Sequence, residues 1–159
     1  MGLQEEFSKG MFEIQRDLKT AEHLLTVVYP VVKDSKLLLR AFENLYTGMR
    51  LNVSLILKLE YFLGKIKLSK EFSENFDVFC RRSAGAYGLD ERDLKLLREA
   101  FYLGRKHKES GFEFSRHGKI VILDDDLGMH DLNPENLKGF LELEKRLLLN
   151  TNSHFANFR

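Results

Sequence analysis

The feature that most constrains this chain is an apolar stripe alternating steps of four and three: Phe7, Met11, Ile14, Leu18, Ala21, Leu25 and Val28. That spacing returns side chains to one face of an α-helix, so the segment is expected to be a long helix that buries this face. Pro30 lacks a backbone donor and biases Tyr29 away from helical geometry, which puts the expected end near residue 29. Asp34 or Ser35 then offers an N-cap for a second helix. From Leu38 the alternation resumes as Leu38, Phe42, Leu45, Met49, Asn52, Ile56, Leu59, Leu63 and Ile66, beside a second row of Leu37, Ala41, Leu51, Leu55 and Phe62. So short a connection makes the two helices antiparallel neighbours, and the doubled face of the second demands further packing partners.

Weaker signals follow. Phe72, Phe76, Phe79 and Cys80 recur at helical spacing until Ser83, Gly85 and Gly88 dissolve the run into a loop. Asp90 with Asp93 reads as a cap for a helix over about 91 to 109, traced by Leu94, Leu97, Phe101 and Gly104 and closed by Gly111. Phe112 to Phe114 and Val121 to Leu123 then flank His117-Gly118, a pair suited to a two-residue turn. This predicts a β-hairpin over about 112–123, with Phe112, Phe114, Val121 and Leu123 turned to the helices. Asn133 and Pro134 open a last helix with Leu137, Phe140, Leu141, Leu147 and Leu148 inside, and the tail 150–159 is expected to fray, although Phe155 and Phe158 offer anchors. The fold class expected is therefore mainly all-α: one domain over residues 1–159, an up-down helical bundle with two long antiparallel helices and a small hairpin before the last helix.

Composition narrows the function classes. The formal net charge of +1 supplies no global field toward nucleic acid or membrane, and no apolar run approaches the roughly 20 residues that span a bilayer. A single cysteine, Cys80, permits no internal disulfide, and the opening residues lack the pattern of a signal peptide; the expected location is the cytoplasm. Cys80 falls among apolar helical positions, as an inert core thiol does, and no phosphate loop, paired-cysteine metal site or nucleophile elbow occurs.

Three constellations carry candidate chemistry. Arg16 and His23, with six residues between them, could bind a phosphate and move a proton, although both fall opposite the buried stripe. Arg105, Lys106 and Lys108 with Arg116 and Lys119, joined by His107 and His117, form a basic segment able to follow a nucleic-acid backbone; the alternative is that these cations complement a helix dipole and keep a hairpin tip soluble. Asp124, Asp126, His130 and Asp131, with Asp125, make an acidic loop able to hold a hard divalent cation, against the simpler reading of solvated charge before a helix. Asn52 places an amide inside an apolar stripe, which marks a helix-to-helix or subunit interface or a locally wet seam. No cofactor is called for.

The block from His107-Lys108-Glu109-Ser110 through Glu113-Phe114-Ser115-Arg116 and Gly118-Lys119-Ile120-Val121-Ile122 to Asp124-Asp125 resembles a recurring block in small uncharacterised archaeal helical-bundle proteins, where it links a bundle to a final helix. The Arg16 and His23 spacing is similar to that of HEPN-like bundles, a resemblance that implies RNA binding or cleavage. The leading expectation is a non-enzymatic protein-interaction module, self-associating as a homodimer or docking a protein partner; the alternative is an RNA-binding or RNA-cleaving HEPN-like protein.

Overall fold

The computed structural model describes residues 2–109, 113–116 and 118–158, with the side chain of residue 158 excepted. The chain is mainly helical with one small antiparallel sheet. Helix α1 (Leu3–His23) does not stop at residue 29. It passes through a π-helical turn (Leu24–Val28) into a last short turn, α2 (Tyr29–Val32), and ends where Lys33 turns left-handed at φ 56°. The wider turn explains why Pro30 fails as a terminator: it moves away the carbonyl that the proline ring would strike.

Helix α3 (Lys36–Phe62) carries the second stripe but ends four residues before Ile66, which stays buried beyond the turn at Gly64. Gly10 on α1 meets the Leu55 side chain on α3, and Glu6 pairs with Lys58, so the two helices run antiparallel. α4 (Phe72–Val78) continues as a π-helical turn (Phe79–Ser83) and a 3-10 turn (Ala84–Tyr87), past the expected break at Ser83 and Gly85, before Gly88 takes φ 77°. α5 (Glu91–Glu109) begins on a reciprocal cap: Asp93 N–H donates to Asp90 Oδ1 at 2.9 Å and Asp90 N–H to Asp93 Oδ2 at 3.1 Å.

Strands β1 (Glu113–Arg116) and β2 (Lys119–Leu123) pair with Phe114 opposite Val121, the expected register. Two expectations need correction. The acidic segment is a tight turn followed by a third strand, β3 (Met129–Leu132), antiparallel to β2. The face that joins the main core is also the other one, with Ile120, Ile122 and Leu132; of the expected face Val121 is buried outside that cluster, Leu123 is half-buried and Phe114 is 42 % exposed. β3 decides this, since it sets Leu132 beside Ile120 and completes an apolar face that the hairpin alone lacks. Phe112, Gly111 and His117 lie outside the described residues.

Helix α6 (Pro134–Phe158) opens on a second reciprocal cap, Asn133 with Asn136. The tail expected to fray is helical through residue 158, and Phe155 is buried, stacked on Phe7 with ring centroids 4.1 Å apart. Contacts at both ends fix its direction. Phe155 with Phe7 and Lys145 with Glu22 set α6 antiparallel to α1, while Glu144 at Gly48 and Thr151 at Asn52 set it parallel to α3. α5 runs antiparallel to α6, with Asp93 held by both Arg146 nitrogens and Leu96 against Gly139.

Candidate functional site

Arg16 and His23 are both exposed on the outer side of α1, two turns or about 10 Å apart along the axis. No hydrogen bond or ion pair joins them among the described residues. Asp17, beside Arg16, is half-buried; burial raises its carboxyl and the neighbouring Arg16 charge offsets part of the rise. The basic segment does not form one free patch. Arg105 and Lys106 both lie over the Tyr102 ring, 5.5 Å from its centroid, and Lys106 also reaches Glu109 at 3.8 Å. Lys108 faces the Tyr46 ring, Lys119 is bonded to Asp131 at 2.9 Å, and Arg116 is exposed at the end of β1. Tyr29 Oη donates to the Gly118 carbonyl at 3.3 Å, tying α2 to the hairpin turn.

The acidic segment builds its own turn. Asp124 Oδ1 accepts the backbone N–H groups of Asp126 at 3.0 Å and Gly128 at 2.7 Å, and Oδ2 lies 3.0 Å from His130 Nε2. The His130 hydrogen bond, ahead of the Gly128 N–H, holds the Asp124 carboxyl below its ordinary range. Asp126 is exposed and Asp131 is turned to Lys119, so among the described residues these four do not converge as a ligand set. Cys80 is buried and burial raises its thiol.

Asn52 is 0 % exposed and its Oδ1 accepts from Thr151 Oγ1 at 2.7 Å, a helix-to-helix contact between α3 and α6 inside the chain. One register step earlier in the same seam lies a residue that the sequence reading passed over. Glu144 is 0 % exposed, and neither carboxyl oxygen has a hydrogen-bond partner among the described residues. It fits because Gly48 has no side chain: a Cβ there would stand 2.2 Å from Glu144 Oε1. Burial pushes the carboxyl well above its usual range, and the Asp17 charge on α1 pushes it further. The signal was in the sequence, since Glu144 follows Leu137, Phe140 and Leu141 at stripe spacing.

This burial has a measurable consequence. An unfolded Glu144 ionises in the ordinary range while burial keeps the folded one protonated to higher pH, so the contribution of this residue to stability is greatest at low pH. That contribution falls by about 1.4 kcal/mol per pH unit from the unfolded value up to the raised folded value, then levels. Glu144→Gln is expected to remove that decline and to exceed the parent in stability at neutral pH. Urea unfolding across a pH series reads this, and superimposable profiles for the two proteins would refute it.

A groove with a cavity of about 430 Å³ runs between α1 and α6. Met11 and Leu148 form its walls, Leu18 and Phe155 its floor, and Gln15, Asn152 and Lys145 its polar rim. Lys145 is itself tied to Glu22, whose hydrogen bond is the main reason that its ammonium is held more firmly protonated. Phe12 and Leu149 stand at the edge of the groove, 66 % and 70 % exposed. Each is a large apolar residue one position away from a partly buried stripe member, Met11 or Leu148, a sequence signal that becomes legible only once the two helices are known to lie side by side. A scan of protein families finds no match to this chain, and neither the curated proteins nor the solved structures yield one.

Proposed function

We propose that the protein is a self-associating helical-bundle interaction module, a homodimer whose subunits meet through the α1/α6 groove. The observation that carries this reading is that the same patch holds a protruding aromatic, Phe12, and an apolar cavity. A two-fold interface needs such self-complementarity, because each surface must supply both the knob and the hole for its copy. The outer row of α1 adds a charge argument: Glu5, Ser8, Phe12, Gln15 and Lys19 are exposed at alternating steps of three and four. Two copies of α1 crossing antiparallel at Phe12 set Glu5 of one against Lys19 of the other, twice. The up-down bundle serves here as a rigid platform that presents α1 and α6 together.

Light scattering on the purified chain should give twice the 18.6 kDa chain mass. Glu5→Lys and Lys19→Glu should each weaken the dimer by about 0.2–1 kcal/mol per pair lost, and the double exchange should restore it. A monomer at high concentration ends the proposal, and a double variant no better than the singles ends the antiparallel register.

A further inference from the structure

On a different face, α3 and the last turns of α5 enclose a larger cleft of about 670 Å³, with α1 contributing Glu13. Its centre is Tyr46, whose ring lies so close to Gly104 that a Cβ there would stand 2.2 Å from a ring carbon. Gly104 is thus the residue that lets α5 approach and the cleft exist. Arg50 reaches Tyr46 from one side, Nη1 donating to its hydroxyl at 3.1 Å, and stacks 4.4 Å above the Phe72 ring. From the other side Lys108 stands 5.5 Å from the centroid of the same Tyr46 ring. Among the described residues no carboxylate lies within ion-pair distance of either cation. A half-buried guanidinium held by an aromatic face and a phenol, with donors left over, is a preorganised receptor for an oxyanion. Thr47 and Ser54 add hydroxyl donors along the same wall.

The rim has the opposite sign. Glu43 lines the cleft 3.5 Å from His107 Nε2 and is half exposed, His107 Nδ1 is bonded to Glu113 at 2.5 Å, and Glu13 faces in from α1. Carboxylates in these positions repel a continuous polyanion but suit a compact ligand with a positive group beside its negative one. The geometry points to a binding site for a small zwitterion, its phosphate-type oxyanion between Arg50 and Lys108 and its amine toward Glu43 and Glu13. The site is independent of the α1/α6 groove.

The test is a titration followed by amide NMR shifts with three probes: inorganic phosphate, O-phosphoethanolamine and a short single-stranded RNA. Phosphate should saturate with shifts centred on Tyr46, Arg50 and Lys108, and phosphoethanolamine should bind several-fold more tightly. Arg50→Gln should weaken both by about tenfold or more with the helical spectrum unchanged, and Arg50→Lys should recover only part of the loss. Glu43→Gln should cancel the advantage of phosphoethanolamine without weakening phosphate, which loses a repulsive neighbour. The inference is overturned if phosphate does not saturate, if Arg50→Gln binds as the parent does, if phosphoethanolamine binds no more tightly than phosphate, or if RNA outcompetes both.

Discussion

Phe155→Ala is expected to lower the unfolding free energy by about 3–5 kcal/mol, the range for removing a fully buried phenylalanine. Phe155 closes a separate apolar cluster with Phe7, Ile14, Leu55 and Leu59, drawn from three helices, and its ring stacks on Phe7. The loss is large because the ring is the contribution of α6 to a close-packed cluster: Phe7 and Ile14 come from α1, Leu55 and Leu59 from α3, and a cavity between three helices closes only if a helix shifts. Chemical denaturation reads the effect. A change below about 1 kcal/mol would mean that the end of α6 is not docked and that the tail frays, as its polar composition suggests.

Phe12→Glu is expected to leave the single chain folded and to abolish the self-association proposed above. Phe12 is mostly exposed within the single chain, so its replacement removes little intramolecular packing. In a two-fold interface the loss is counted twice. At about 1.5–3 kcal/mol for each buried side chain, the dimer weakens by about 3–6 kcal/mol, a hundredfold or more, before the cost of burying two carboxylates is added. Sedimentation equilibrium on parent and variant measures this. Equal association constants would remove Phe12, and with it the α1/α6 face, from the interface.

What could be read from the sequence was whatever repeats or punctuates. The stripes from Phe7 and Leu38 specify two helices because period and length agree, and the caps at Asp90 and Asn133 place two helix starts because each satisfies a named backbone donor. The boundary at Pro30 was misjudged because its penalty assumes an α-helical turn, and a π-helical turn relieves it at no cost visible in composition. β3 escaped notice for a related reason: Met129-His130-Asp131-Leu132 has one buried position and reads as loop until β2 offers it an edge. At the candidate site, Phe12 and Leu149 are unremarkable one at a time. Their meaning lies in the side-by-side placement of α1 and α6, which no local pattern encodes. Glu144 shows the converse case, a residue whose stripe position was legible but whose charge made it look like surface.

The stacking of Phe7 on Phe155 also sets an order of events during synthesis. The α1–α3 hairpin has short-range partners and can close as soon as it leaves the ribosome, whereas the cluster around Phe7 needs a helix made more than half a chain later. Until α6 emerges, Phe7, Ile14, Leu55 and Leu59 lack the ring that closes their cluster, and the α3 face that later elements cover is open as well. A nascent chain stalled before α6 would therefore expose apolar surface open to capture by a chaperone or by another unfinished copy.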